Sequence, residues 1–340
     1  MKPYRYRLFA TRLFLAFICL VLNAARSYAA DSNVVERARA EGEVVLYTAW
    51  GFDTLQLLQK SFAKKYPFIK LNSLRMRSER LLSRTVAEHK QRVFSADVFS
   101  GSQLAMLNHK RAGHLQKYLS PEQTAFAKEF KDADGFWTSF YVDTRVLAYN
   151  PRLVPRDQLP KTYDDLLLPR WKGMLGMDES EYIMFGSLLE IMGREKGLAY
   201  MKRLAQQDLN LRNGHSLLTQ LLVAGEFPLY IDGFGSNIEQ TKAQGAPIDW
   251  VPLEPVIVSL YPVGMAVNAP HPNAARLLVD FLLSKEGQEI GRAVAKIPGR
   301  SDVEAPFPRL TKGLKLYPVP VSVAERYGDL VKEFRDIFLK

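Results

Sequence analysis

The chain has 340 residues, of which 47% are hydrophobic and 24% carry a charge, and its formal net charge is +10. This composition is that of a folded globular protein, and a single cysteine, Cys19, excludes a disulfide-stapled scaffold. The length corresponds to roughly two domains.

The first 29 residues have the pattern of a secretory signal peptide. Four basic residues precede an apolar run from Leu13 to Leu22, and small residues at Ser27 and Ala29 suit a signal peptidase. The run is too short to be a stable membrane anchor. Cleavage after Ala29 removes five basic residues and no acidic one, which lowers the net charge from +10 to +5. It also removes Cys19. We therefore expect a soluble, thiol-free protein exported to the periplasm.

The next part of the chain alternates between apolar strands and helices. A polar helix is expected over Asp31–Ala40, and Ser78 suits the N-cap of a helix that runs to about Arg92. Between them Leu55, Leu58 and Phe62 mark one face of another helix. The expected strands are Val44–Tyr47, Ile69–Met76 and Ala96–Phe99. This β-α-β-α-β order predicts a parallel sheet with helices on both faces.

The middle of the chain contains a first crossing between two halves. Phe140–Asn150 reads as an extended segment that runs into a strand, and Met174–Met177 as a further strand. Helices are expected from Asp178 to Met192, over Leu198–Leu204 and over Ser216–Ala224.

The last third predicts two strands, a return crossing and helices. Phe227–Ile231 should end in an Asp-Gly turn, and Ile248–Leu253 should form the next strand. The segment Val258–Val263 should return to the first half. Apolar residues at helical spacing predict one helix over Pro272–Gly287, stopped by its glycine, and Thr311–Lys340 should end helically.

The ordered set of segments resembles the type II periplasmic binding proteins that feed ABC importers, in the branch that includes ferric-iron, thiamine and phosphonate binders. The segments are EGEVVLYTA, ADVFSGS, FYVDTRVLAYNP, WKG, VAGEFPLYIDGFGSNIEQTKAQGAPIDWV and HPNAARLLVDFLLSKEGQ. The resemblance covers nearly the whole mature chain. It implies an α/β fold of two lobes, each a mostly parallel sheet flanked by helices, joined by a hinge.

The two crossings and the resemblance together predict how the chain is divided. The expected parts are a signal peptide (1–29), the first part of lobe 1 (30–141), lobe 2 (142–258), the second part of lobe 1 (259–300), and a C-terminal helical segment packing across the lobes (301–340).

Candidate ligand-binding residues follow the strands, because ligands of open parallel sheets bind beyond the carboxyl ends of the strands. In lobe 1 the candidates are Thr48, Trp50, Arg77, Ser78, Ser100 and Ser102. In lobe 2 they are Ser180, Tyr182, Asp232 and Phe234, and on the expected hinges they are Tyr141 and Tyr261. Plain helix capping by Ser78 and Ser180, core packing by Trp50 and Phe234, and turn chemistry at Asp232 are open alternatives.

The residue types favour a small organic anion. Serine hydroxyls and N–H groups at helix N-termini suit a carboxylate, phosphonate or sulfonate, aromatic rings suit a planar body, and Asp232 suits an amine. The resemblance implies delivery of this solute to an inner-membrane ABC permease with its ATPase. We expect a monomer with no cofactor and no nucleic-acid partner.

A ferric-iron or thiamine binder is the alternative. The iron-binding relatives use a His, a Glu and two adjacent tyrosines, where this chain has Thr48-Ala49-Trp50-Gly51, Ser100-Gly101-Ser102 and Asp232-Gly233-Phe234-Gly235. The five histidines show no shared metal spacing, and we expect solvated or capping roles for them. A secreted enzyme is a distant alternative, since the chain carries no nucleophile elbow or phosphate loop.

Overall fold

The computed structural model describes residues 33–339. The predicted signal peptide and its cleavage site lie outside these residues. The predicted first helix is observed over residues 33–41 (α1).

Strands and helices alternate along most of the chain. The strands are β1 Glu43–Thr48, β2 Lys70–Arg75, β3 Val98–Ser100, β4 Thr138–Tyr149, β5 Leu175–Asp178, β6 Asn210–Arg212, β7 Leu229–Phe234, β8 Asp249–Val251, β9 Val256–Met265, β10 Ile297–Pro298 and β11 Leu316–Pro318. The helices after α1 are α2 Phe52–Lys65, α3 Ser78–Lys90, α4 Gln103–Arg111, α5 Tyr182–Met192, α6 Arg194–Ala205, α7 His215–Ala224, α8 Gly235–Ala243, α9 Pro272–Leu283, α10 Lys285–Ala293, α11 Val321–Glu325 and α12 Tyr327–Phe338.

Within the described residues the strands form one connected mixed sheet. Its main path is β2-β1-β3-β9-β4-β7-β5-β6, with β8 and β10 paired to β4 and β11 paired to β9. Strands β1, β2 and β3 pair in parallel at one end, and β5, β6 and β7 do so at the other. The long strands β4 and β9 pair antiparallel between these two parts. The predicted α/β, two-lobed fold is confirmed, while the residue boundaries of the lobes remain a prediction.

Apolar residues that alternate or recur at helical spacing build one core cluster in each half, and a third cluster spans the crossing strands with residues from both halves. In one half Leu46 of β1, Leu58 of α2 and Leu278 of α9 are fully buried together. In the other half Leu229 of β7 and Phe185 of α5 are fully buried, with Phe334 of α12. Each core holds its sheet in place, so that the strand ends facing the middle of the molecule have a fixed geometry.

The prediction of a single helix over Pro272–Gly287 is wrong. The helix ends at Leu283, and Ser284 adopts an extended conformation whose Oγ accepts the Gly287 N–H as the N-cap of α10. Gly287 lies inside this second helix. A Cβ there would lie 2.0 Å from the carbonyl oxygen of Phe281, so the glycine allows a close approach of two helices and does not end one.

The prediction of an Asp-Gly turn after Ile231 is also wrong. Strand β7 continues through both residues to Phe234. Asp232 has a positive φ of 67°, and the pairing of β7 with β4 shifts between Val146 and Ala148. The residue pair therefore forms an irregularity within a strand, which turns the Asp232 side chain away from the regular alternation.

The C-terminal segment differs from the all-helical prediction. Residues 316–318 form strand β11, parallel to β9, before α11 and α12 begin. Helix α11 contacts both α4 and α5, and α12 packs on α5. Gly186 of α5 permits this close packing, because a Cβ there would lie 2.6 Å from Leu330 of α12.

Candidate ligand-binding cleft

A cavity of about 220 Å³ lies where the two halves face each other. Its walls come from the first turns of α4, α5 and α7, from β4 and β9, and from residues 319 and 327 near the C-terminus. The polar groups in its lining are Ser102, Gln103, Arg145, Ser180, Glu181, Tyr182, His215, Ser259, Tyr261 and Tyr327. The lining is thus mixed in polarity, with both an acid and a base present.

Helix N-termini from both halves point at the cavity. Ser102 caps α4 by accepting the Ala105 N–H, at 3.3 Å, and Glu181 occupies the N-cap position of α5 without a side-chain cap. The first N–H groups of a helix have no partner within the helix, and the helix dipole places positive potential there. The parts of the cavity next to these two helix N-termini are therefore favourable for negative charge.

Arg145 of β4 lies at the bottom of the cleft and is held on several sides. Its Nε donates to Ser259 Oγ at 3.0 Å, and its Nη1 contacts Asp232 Oδ2 at 3.0 Å and Glu181 Oε2 at 3.4 Å. The guanidinium also lies 4.0 Å from the centre of the Phe234 ring. These contacts fix the plane of the guanidinium, which is needed for directional binding of an oxyanion.

Burial is the largest cause of the pKa shifts of Glu181, Asp232 and His215, which form a cluster around Arg145. Desolvation raises the pKa of Glu181 to about 8, with Arg145 opposing the shift and Asp232 adding to it. Desolvation also raises the pKa of Asp232, again against the effect of Arg145. Burial lowers the pKa of His215, whose Nε2 lies 3.4 Å from Glu181 Oε2. At neutral pH the cluster therefore holds fewer charges than its composition suggests.

His215 is oriented by its second ring nitrogen. Its Nδ1 lies 2.5 Å from the Tyr230 hydroxyl, and its ring packs against Phe234 at 4.3 Å between centroids. The residue opens helix α7, after Gly214, whose N–H donates to Asp178 Oδ2. The imidazole thus presents Nε2 towards Glu181 in a fixed orientation.

On the other side of the cleft, two helix starts are joined through serine. Ser78 Oγ, at the start of α3, accepts the Ser102 N–H from the start of α4 at 3.2 Å. A Cβ at Gly101 would lie 2.9 Å from that Oγ, so glycine is required for this approach. Ser78 and Ser100 line a neighbouring cavity of about 10 Å³.

The structure brings some of the predicted site residues together. Ser102, Ser180, Tyr182 and Tyr261 line the cleft, while Asp232 and Phe234 support Arg145 from behind. The other predicted residues, Thr48, Trp50, Arg77, Ser78, Ser100 and Tyr141, lie outside this lining.

Those residues have other contacts in the structure. Thr48 Oγ1 accepts the Trp50 N–H, and Trp50 is buried with its ring 4.6 Å from that of Phe140. Arg77 occupies the N-cap position of α3 and is exposed. Tyr141 stacks on Tyr261 and reaches the cleft only through it.

The sequence reading missed Arg145, Glu181 and His215. Arg145 lies two residues after Asp143 in the crossing strand β4, and these two charged residues within a strand were the available signal. Glu181 directly precedes an apolar helix, and His215 opens another. Their approach depends on the pairing of β4 with β7 and on the placement of α5 and α7, which no local pattern reveals.

The expectation of solvated or capping histidines is wrong for His109 and His114. Both are buried, and their Nδ1 atoms lie 3.2 Å apart, because the chain turns back after α4 ends at Arg111. His89 packs on His114 with ring centroids 4.2 Å apart. Across residues 33–339, no group of three or more His, Cys, Asp or Glu side chains is arranged to hold a metal ion. In the same residues, no helix combines the length and apolarity needed to cross a membrane.

Comparisons with known proteins agree with this architecture. Residues 95–312 match the model of the family described as bacterial extracellular solute-binding protein. An uncharacterized protein from Haemophilus influenzae is 23% identical over 280 residues, which cover 77% of this chain and 79% of that protein.

Two further relatives carry functional names. An Fe(3+)-binding periplasmic protein from Serratia marcescens is 26% identical over 48% of this chain and 51% of its own length. A periplasmic protein of Salmonella typhimurium named for 2-aminoethylphosphonate binding is 23% identical over 55% of this chain and 59% of its own length. The chain thus spans only about half of each of these two relatives.

Solved structures share the fold over most of the chain. Iron-bound HitA from Pseudomonas aeruginosa has a TM-score of 0.78 and 21% identity, covering 87% of this chain and 99% of that one. The periplasmic binding protein AfuA from Actinobacillus pleuropneumoniae, with exogenous fructose-6-phosphate bound, has a TM-score of 0.73 and 25% identity, covering 88% and 99%. The chain belongs to the family of bacterial extracellular solute-binding proteins and has the function of that family, the binding of a solute for an ABC transporter.

Proposed function

We propose that this protein binds a small organic anion in the periplasm and delivers it to an inner-membrane ABC permease with its ATPase. The observation that carries the proposal is the position of Arg145 at the bottom of the cleft, opposite the N-terminus of α4. A fixed guanidinium on one side and the N-terminus of a helix on the other suit the oxygens of a phosphonate, carboxylate or sulfonate.

The size and shape of the cleft support a small ligand. A cavity of about 220 Å³ suits a molecule of a few heavy atoms beyond its anionic group. Tyr182 and Tyr261, from different halves, offer ring faces and hydroxyls for the body of the ligand. Binding to groups from both halves stabilises the closed arrangement by differential affinity, which is how a ligand changes the surface offered to a permease.

Thermal unfolding against a ligand panel tests the anion assignment, with protein recovered from the periplasm of an expressing bacterium. The panel contains ethylphosphonate, 2-aminoethylphosphonate, fructose 6-phosphate, succinate, ethanesulfonate, thiamine, sorbitol and ferric citrate. A ligand at about 100 times its dissociation constant adds about 2.7 kcal/mol to the free energy of unfolding, which raises the midpoint by several degrees. A shift with one class of organic anion supports the proposal. A shift with iron, thiamine or sorbitol alone contradicts it.

We further propose that the protein performs no chemistry on its ligand and acts as a monomer. Family membership supports the first point, because the relatives are transport proteins. Mass spectrometry of the released ligand should recover it unchanged, and sedimentation equilibrium should give the mass of one chain. Conversion of the ligand by the protein alone would favour the enzyme alternative.

A further inference from the structure

Two buried carboxylates contact the same nitrogen of one guanidinium. Asp232 Oδ2 and Glu181 Oε2 lie 3.0 Å and 3.4 Å from Arg145 Nη1, and the two side chains are only 3% and 4% exposed. A single positive charge therefore faces two acids in a place with little water.

The other groups facing Glu181 do not supply a second positive charge. His215 of α7 contacts it but is kept neutral by burial, which lowers its pKa. Tyr230 of β7 and Tyr261 of β9 are neutral phenols, since burial raises the pKa of each. Asp178, at the end of β5, is a further acid whose negative charge also raises the pKa of Asp232. With both acids ionised, the cluster would carry a net negative charge in a buried site, which is costly.

The two acids differ in their access to the cleft. Glu181 lines the cavity beside Arg145, whereas Asp232 lies behind the guanidinium and outside that lining. An anion on Arg145 would add a further negative charge next to Glu181. A neutral Glu181 removes this repulsion and offers an O–H donor in its place.

We propose that Glu181 is protonated when the cleft holds an anion, so that the ligand and one proton bind together. This inference rests on the proposed function, because it assigns the anion to the same cleft. Asp232 stays ionised as the partner of Arg145, and the neutral Glu181 places no negative charge beside the ligand. A neutral Glu181 beside the charged Arg145 thus favours an anion over a cation of the same size.

The proton balance follows from the environment of Glu181. Burial raises its pKa to about 8, so a neutral Glu181 is already the main form at pH 7. Above pH 8, anion binding requires the uptake of a proton. We therefore expect the dissociation constant to rise above that value, with a slope that approaches about tenfold per pH unit.

A ligand-free experiment tests the protonation of Glu181 directly. A carboxyl whose pKa is raised in the folded state stabilises the fold at pH values below its unfolded pKa. This stabilisation is lost as the pH rises towards the folded pKa. Between about pH 4.5 and 8, the folding equilibrium constant of the wild type should therefore fall relative to Glu181→Gln, by up to about tenfold per pH unit. The matched control is Glu179→Gln, two residues earlier, where the side chain contacts Asn213 at the surface.

The control variant should follow the wild-type profile. Parallel pH profiles of the wild type and Glu181→Gln would overturn the inference. Carboxyl carbon NMR of glutamate-labelled wild type gives a second reading that needs no variant. One glutamate should titrate near pH 8, and titration of every glutamate below pH 6 would also overturn the inference.

Binding of ethanesulfonate tests the coupling, because this anion does not titrate between pH 5 and 9. Its dissociation constant should rise about fivefold from pH 8 to pH 9 for the wild type and stay constant for Glu181→Gln. Equal affinity at both pH values for the wild type would overturn the inference. If no anion binds at any pH, the proposed function fails, and the ligand-free profile still decides the protonation of Glu181.

Discussion

The ring of Tyr141 stacks on the ring of Tyr261, with centroids 4.4 Å apart and planes 15° apart. The two residues are directly paired across β4 and β9, the strands that run between the two halves. One ring lines the cleft and the other packs against Phe140 in the core of the first half. The stack therefore connects the ligand-facing wall to the interior.

Replacing Tyr261 tests the stack. Tyr261→Leu should lower the free energy of unfolding by at least about 1 kcal/mol, since an aromatic pair contributes about that much beyond its buried area. Tyr261→Phe keeps the ring pair and should be closer to the wild type. Denaturant unfolding of both variants makes the comparison, and equal stability of the two would contradict a role for the stack.

Removing the cap of α4 should affect both stability and binding. Ser102→Ala removes the hydrogen bond to the Ala105 N–H and should cost about 1 kcal/mol of stability. It should also weaken binding of the solute identified by the ligand panel, because Ser102 lines the cleft. Ser284→Ala removes an equivalent cap of α10, whose Oγ accepts the Gly287 N–H away from the cleft. This control should lose similar stability with unchanged affinity. Equal affinities of the two variants would place the ligand elsewhere.

Gly287→Ala should be strongly destabilising. The added Cβ would lie 2.0 Å from the Phe281 carbonyl oxygen and 2.8 Å from the Leu282 Cα, both backbone atoms that cannot rotate away. We expect the free energy of unfolding to fall by about 1–3 kcal/mol, as for other overpacked sites. Gly291→Ala in the same helix is the matched control, because its nearest atoms lie 3.7 Å or more away. It should be neutral or stabilising by up to about 1 kcal/mol through helix propensity.

The buried histidines should make the fold sensitive to acid. Desolvation lowers the pKa of His109 to about 3 and that of His114 to about 4, with neighbouring histidines adding to both shifts. A pKa depressed in the folded state means that stability is present above the unfolded value of about 6.5 and is lost as pH falls towards the folded value. Chemical unfolding of the wild type should show this loss from pH 6.5 to pH 4. His114→Gln should show a smaller loss over the same range, and an unchanged slope would contradict the assignment.

Local sequence patterns predicted the fold well and the site in part. Strand β1 was predictable because it contains a continuous apolar run, and helix α9 because its apolar residues recur at helical spacing. The residues that follow strands, such as Ser102 and Ser180, were predictable because strand ends meet at one edge of a parallel sheet. Both lie in the lining of the cleft.

The remaining parts depend on contacts between distant segments. Arg145 meets Asp232 and Glu181 because β4 pairs with β7 and the start of α5 lies beside them, and its spacing from each in sequence is long. The break at Ser284 lies just after the last apolar residue of the pattern, Leu283, and the Lys285 and Glu286 that follow are ordinary helix formers, so the pattern does not show that a second helix begins there. His109 and His114 meet across a helix end, which their spacing along the sequence does not reveal.

Strand β4 has a consequence for how the molecule unfolds. Its first part pairs with β9 and β10, and its last part, from Arg145 to Tyr149, pairs with β7 and β8. Loss of either half would leave hydrogen-bonding groups of the same strand without partners, so partial unfolding is penalised on both sides. We expect the two halves to melt together, with a calorimetric enthalpy equal to the van't Hoff enthalpy, although each half has its own apolar core. Two separate transitions would mean that β4 can be divided between independent folding units.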